Sequence, residues 1–243
     1  MDDLGEMGSS AGGARGVTWR LAAIAVAALG AFSALAVVVA VEKAPLPGDR
    51  WLLGELQEPG WLVEPAKAVN LAGDHEFVTL IAAFGIAVAA LGRGGVGVGG
   101  ARPVVAAFLV AVVFLSLDQE IKKLVESPRP TAAEGFTIHD TSGTFGYPSG
   151  HAFSVTVAAG LMAAFAARGS GWQAGGAWWA VAVAAGATQG LARVILGAHW
   201  PSDVVGGWLL AAGAVALCML VGRVAGGPAR EQAGAGRKPR RDR

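Results

Sequence analysis

Residues 21–41 read LAAIAVAALGAFSALAVVVAV, a stretch without a single charge. An α-helix rises 1.5 Å per residue and a bilayer core is about 30 Å thick, so roughly 20 such residues make one crossing. The stretch reads as a membrane span. Arg15 and Arg20 precede it as they would in a secretory signal, but a signal's apolar core is about 7–15 residues and this one is longer. Uncharged runs follow at 77–92, 103–117, 152–167, 169–192 and 204–222, each ended by a charge or a glycine-rich turn. The expected fold is therefore all-α, a six-span transmembrane helical bundle. Three runs are slightly short for a crossing, so polar flanks such as 118–125 must carry the helix on into the headgroup layer.

Composition agrees. The 243 residues are 53% hydrophobic and 15% charged, against about a quarter charged in a typical soluble domain. The single Cys218 excludes an intrachain disulfide. A formal net charge of +1 gives no case for nucleic acid. Charge is nevertheless unevenly placed: Arg230, Arg237, Lys238, Arg240, Arg241 and Arg243 crowd the C-terminus against Glu231 and Asp242. The expected organisation is a cytoplasmic tail at 1–19, a six-span domain at 20–222 and a basic, disordered cytoplasmic tail at 223–243.

With six spans both termini share a side. Twelve Lys and Arg fall on the side of the termini and seven on the other, so the positive-inside rule makes both ends cytoplasmic. Trp19, Trp51, Trp61, Trp172 and Trp200 lie near span ends, as an aromatic belt would. Segment 43–75 mixes tryptophans and leucines with charges and prolines, the pattern of a short amphipathic helix on the outer leaflet. It reads equally as a structural cap or as an aid to lipid entry.

Ionisable residues near a membrane core are costly and usually functional, and here three stretches put them at the same outer depth. Lys122 and Arg129 stand seven residues apart across a proline break; alone, such cations are ordinary interface anchors. Tyr147-Pro-Ser149-Gly150-His151 opens the fourth span. A Ser N-cap followed by Gly leaves backbone N–H groups at a positive helix terminus, which is an anion site, although simple capping gives the same pattern. In Arg193-Val-Ile-Leu-Gly-Ala-His199-Trp-Pro-Ser-Asp203, Pro201 suits a first helical turn. Asp203 can then accept the His199 Nδ1–H and leave Nε2 as nucleophile, or it can serve only the helix dipole. Three cations, an anion-binding helix terminus and two histidines together describe a phosphoryl-transfer site. Two histidines and one carboxylate beside three cations make a poor divalent-metal site, so no metal is expected.

Lys122-x6-Arg129-Pro130, Pro148-Ser-Gly-His151 and Arg193-x5-His199-x3-Asp203 occur in that order, and in this the chain resembles the type-2 phosphatidic acid phosphatase family. These are integral membrane lipid phosphate phosphatases that share their site with class A acid phosphatases and vanadium haloperoxidases. The motifs cover 122–203 and the span layout extends the match over about 20–222. One departure is Ala192, where the family usually has Ser before the arginine. The resemblance implies a metal-independent, cofactor-free phosphomonoester or diphosphate hydrolase whose site faces the extracytoplasmic side of a bacterial plasma membrane. It implies His199 as the nucleophile of a phosphohistidine, Asp203 as its orienting partner and His151 as acid, then base. Lys122, Arg129, Ser149, Gly150 and Arg193 would hold phosphate.

The expected partners are membrane lipids and a phosphorylated lipid substrate, foremost an undecaprenyl-type polyprenyl diphosphate. Phosphatidic acid, phosphatidylglycerol phosphate and a polyprenyl-phosphoryl sugar phosphate are the alternatives. A flippase that binds the same lipid without cleaving it is the reading from another class, although it leaves a His-Asp pair without a task. A haloperoxidase holding vanadate is disfavoured by six spans. Glu126, His139 and Asp140 lie between the first two motifs and read as loop polarity or as shapers of the site. His75 has no visible partner in the sequence.

Overall fold

A computed structural model describes residues 3–71, 73, 98–141, 143–167 and 172–235, with no strand among them. The helices are α1 (Asp3–Glu42), α2 (Asp49–Gln57), α3 (Val63–Asn70), α4 (Val98–Val125), α5 (Gly150–Ala166), α6 (Trp172–Ile195) and α7 (Pro201–Ala235), with 3-10 turns at Gly60–Leu62 and Ala132–Glu134. Five of the six expected spans fall on α1, α4, α5, α6 and α7. The run at 77–92, and His75 with it, lies outside the described residues.

Among the described residues, Gly16–Glu42 and Pro201–Ala225 are long and apolar enough to cross a membrane, and Gly150–Ala166 is a shorter apolar helix. These helices mark the chain as a membrane protein. The helices face outward with Val26, Leu109, Val113, Val181 and Val183, all more than half exposed. A water-soluble helix would put charge there; a bilayer accepts these side chains, and the closed helical backbone leaves no peptide group unpaired in it.

Helix α7 is the axis of the bundle. It packs against α1, α4 and α5, while α5 also lies along α6. The core joins Phe32 and Val39 of α1, Ala111 and Leu115 of α4, Phe153 and Val157 of α5, and Leu210, Ala214 and Cys218 of α7. Small residues set how closely these helices approach. A Cβ on Gly160 would stand 2.9 Å from Val215, and one on Gly213 would stand 2.6 Å from Leu29.

Both expected tails differ from the helices found. α1 begins at Asp3, inside the segment read as a tail, and α7 continues to Ala235 through the start of the basic one. Ala229-Arg-Glu-Gln-Ala233 is built of good helix formers, but propensity does not explain how the helix passes Gly226, Gly227 and Pro228 before them.

Segment 43–73 forms the lid of the polar end. Leu53 is fully buried, while Trp51 and Trp61 face outward, so the segment is amphipathic as expected, in two short helices and not one. Helix α3 rests on α6. Asp49 accepts from Ser202 N (2.9 Å) and Ser202 Oγ (2.7 Å), which ties α2 to the start of α7. Gln57 exchanges bonds with the Thr137 backbone and donates to Ile195 O. Trp200 was expected in the aromatic belt; it is instead buried, with Nε1 donating to Pro128 O at 3.0 Å and its ring edge-on to Phe136. Its indole N–H has a partner there, which makes burial cheaper than exposure.

Candidate active site

Each motif ends a helix or begins one, and that is why they meet. Lys122 lies in the last turn of α4, Ser149 is the N-cap of α5, Arg193 is in the last turn of α6, and Trp200 precedes α7 at Pro201. Gly197 makes the turn between α6 and α7. Its φ is 67°, and a Cβ there would stand 2.5 Å from Thr137 O. Glycine is required on both counts. Ala198 N returns to Arg193 O at 3.0 Å, which fixes the distance between the arginine and the histidine of that motif.

The turn at 148–150 seats on α7 through two glycines. A Cβ on Gly207 would stand 2.6 Å from Ser149 O, and Gly206 lies against the Tyr147 ring. Ser149 N donates to Asp203 O at 2.9 Å, and Tyr147 Oη donates to Phe32 O at 3.1 Å. The Tyr147–Pro148 bond is cis. Ser149 occupies the N-cap without capping: among the described residues its buried Oγ has no hydrogen-bond partner. The N–H groups of the first α5 turn have no acceptor within the helix.

His199 and Asp203 are both buried, with Nδ1 at 3.4 Å from Asp203 Oδ2. That is longer than a well-formed hydrogen bond, and Nδ1 has no hydrogen-bond partner. Asp203 Oδ2 accepts the Trp200 N–H at 3.0 Å, so the carboxylate closes the first turn of α7 while standing next to the imidazole. Of the two roles weighed from sequence, the bond to Trp200 N at the start of α7 is formed, whereas the Nδ1–H bond is not closed at this distance.

Burial first, and then the charges of Arg129, Arg193, Lys122 and His151, hold His199 well below the ordinary histidine value. The imidazole is neutral at physiological pH and has a lone pair to offer. Burial and the nearby Arg193 likewise lower Arg129. Lys122, Arg129, His151 and Arg193 thus lie near enough to His199 for their charges to act on it, and Ser149 is bonded to Asp203. Arg129 is fixed by donating from Nε to Phe145 O and from Nη1 to Ala198 O.

Three further residues complete the surroundings. Asp118, fully buried, accepts from Lys122 Nζ at 2.7 Å one helical turn away. Asp140 Oδ2 accepts from Arg193 Nη1 at 2.6 Å, and Asn70 Oδ1 accepts from the same nitrogen, while Arg193 Nε has no partner. Sequence reading left Asp140 between loop polarity and site shaping; it touches a site arginine. It missed Asp118, Asn70 and Gln189. Asp118 was detectable as a carboxylate four residues before a motif lysine. Gln189 was detectable as a polar residue on the Arg193 face of an apolar run. Asn70 had no such signal. Glu126 pairs with Lys43 at 3.1 Å, away from the cluster, and His139 is exposed. Ala192 packs with Ala66, Ile195 and Leu196, so its methyl belongs to an apolar cluster.

Cations around a neutral imidazole gather an anion before anything attacks it, and a phosphatase needs that order of events. The enzyme is a phosphatase of the hydrolase class. The chain belongs to the PAP2 superfamily, whose family model matches residues 77–225. Among solved structures it is similar to the first transmembrane PAP2 type phosphatidylglycerolphosphate phosphatase from Bacillus subtilis. That likeness has a TM-score of 0.61 at 20% identity, over 89% of this chain and 98% of that one, and it speaks for the fold. No curated protein matches the chain.

Proposed function

We propose that this protein hydrolyses a phosphorylated membrane lipid through a phosphohistidine, with a polyprenyl diphosphate of the undecaprenyl type as its substrate. The observation that carries the reading is His199, buried and neutral among three cations. Lys122, Arg129 and Arg193, with Ser149 Oγ and the Gly150 N–H, would hold the oxygens of the transferred phosphoryl group and stabilise its developing charge. His199 Nε2 attacks phosphorus as the bond to the leaving oxygen breaks, and that oxygen takes a proton from His151. His151 then removes a proton from water, whose oxygen attacks phosphorus and breaks the P–N bond. Inorganic phosphate leaves and His199 is regenerated. No metal or cofactor is used.

Six spans, cytoplasmic termini and a site facing the extracytoplasmic side of a bacterial plasma membrane belong to the same proposal. The charge asymmetry of the chain supports it. A site at the polar end of apolar helices favours lipid over soluble phosphates. Phosphatidylglycerol phosphate is the second reading, favoured by the name of the structural neighbour, a phosphatidylglycerolphosphate phosphatase; phosphatidic acid and a polyprenyl-phosphoryl sugar phosphate follow.

The test is phosphate release by the purified protein in detergent with EDTA, from polyprenyl diphosphate, phosphatidic acid and phosphatidylglycerol phosphate in parallel. Release that His199→Ala abolishes, fastest from the diphosphate, is expected. A folded His199→Ala protein with full activity would sink the mechanism, and a faster monoester would replace the substrate.

A further inference from the structure

We infer that Gln189 contacts the substrate on the leaving-group side of the site, where its amide binds a second phosphate and favours lipid diphosphates over lipid phosphomonoesters. The inference rests on the lipid phosphatase reading above.

Gln189 is 1% exposed in α6, and among the described residues its Nε2 has no hydrogen-bond partner. A buried donor without an acceptor is rare and calls for a reason. It lies one helical turn before Arg193 and so on the same face of α6. Gly73 shows what lies beside it: a Cβ there would stand 2.7 Å from Gln189 Nε2 and 2.7 Å from His151 Cδ2. The amide donor and the imidazole therefore flank the same point beside Gly73. Asn70, to which Gly73 N donates at 2.8 Å, reaches Arg193 from the same turn.

His151 is the group that protonates the leaving oxygen. A donor next to it meets the leaving group, whereas the transferred phosphoryl is held by the cations and Ser149. The two substrate classes differ at that point. In a phosphomonoester the leaving oxygen carries carbon, which accepts nothing. In a diphosphate it carries a second phosphate, whose non-bridging oxygens are strong acceptors. A neutral amide binds such an oxygen without adding a fourth cation that would draw that phosphate away from departure.

An alternative role for Gln189, aiming the water of the second step, makes a different prediction. Both substrates leave the same phosphohistidine, so a defect in its hydrolysis lowers turnover of both alike. A defect in leaving-group contact appears in kcat/KM for the diphosphate alone.

The experiment compares wild type, Gln189→Met and Gln189→Glu as full chains in detergent, with farnesyl diphosphate and dioleoyl phosphatidic acid as substrates. Met keeps the length and removes the donor; Glu also adds repulsion. Inhibition by inorganic phosphate reports an intact phosphoryl site in each variant. The expected result is that the ratio of kcat/KM values, diphosphate over monoester, falls roughly tenfold in Gln189→Met and further in Gln189→Glu. An unchanged ratio in whichever variant retains phosphate inhibition overturns the inference, as does a wild type that cleaves only the monoester. If wild type cleaves neither lipid, or His199→Ala still cleaves both, the phosphatase mechanism itself fails, whatever Gln189 does.

Discussion

Lys122 shows how a single charge is made useful. Its ammonium sits against a fully buried Asp118, which holds it at 2.7 Å and leaves one carboxylate oxygen unpaired. Asp118→Asn should keep the shape and weaken the hold, raising KM for the lipid roughly three- to tenfold with a smaller change in kcat, because the amide still accepts from Lys122 and only the charge-assisted part of the bond, about 1 kcal/mol, is lost. Steady-state kinetics over substrate concentration check this, and a purely structural role would move Tm and not KM. His199 makes a prediction about pH. Its value in the folded protein lies below that of the unfolded chain, so as pH falls through about 6.5 the unfolded chain takes up the proton first. The contribution of His199 to stability is therefore whole above that pH and is lost as pH falls towards the lower folded value. His199 stays neutral over the same interval, so under the proposed mechanism the acid limb of phosphohistidine formation should lie below pH 6.5 in single-turnover experiments. A limb at or above that pH would mean that the imidazole is not shielded as its burial implies.

Two helix starts carry the site, and each is held by contacts that tolerate no extra atom. Gly207→Ala would bring a Cβ to 2.6 Å of Ser149 O, and a backbone carbonyl cannot swing away. The turn bearing Ser149, Gly150 and His151 must then lift from α7. Activity should fall by more than about tenfold, with weaker inhibition by inorganic phosphate; a variant with wild-type kinetics would show that this seating does not matter. Asp49→Ala acts at the other start by removing the acceptor for Ser202 N, Ser202 Oγ and Leu46 N. The expected loss is about 1–3 kcal/mol, read as a lower Tm in detergent. These elements also show what was legible in the sequence. The motif residues could be assembled from their order because each is local to a helix end, where periodicity stops and charge begins. The lid contacts of Asp49 and Asn70 join segments far apart in the chain, and no spacing rule reaches across them. Asp203 was legible as a carboxylate one turn from His199, whereas its 3.4 Å distance and its bond to Trp200 N depend on how α7 seats under the 148–150 turn.

At the scale of the whole molecule, apolar outward faces and a polar end bearing the site make orientation decisive, because a lipid phosphatase meets its substrate only in the leaflet its site faces. The alternation of apolar runs with turns was legible for the five runs that fall on α1, α4, α5, α6 and α7, since a bilayer demands long uncharged helices. Their arrangement around α7 was not, because it depends on which glycines meet which branched side chains. Orientation can be tested with the chain's own chemistry. Cys218 is fully buried, its Sγ 3.2 Å from Ala107 O, so it gives little background to a thiol reagent. Trp61 is 75% exposed on the lid beside the site. With a Trp61→Cys substitution, a membrane-impermeant maleimide should label intact cells; with Arg240→Cys it should label only after lysis. That outcome puts the site outside and the basic tail inside, the orientation proposed from twelve Lys and Arg against seven. The reverse pattern would leave the chemistry standing and turn the enzyme over, making its substrate a lipid phosphate of the cytoplasmic leaflet.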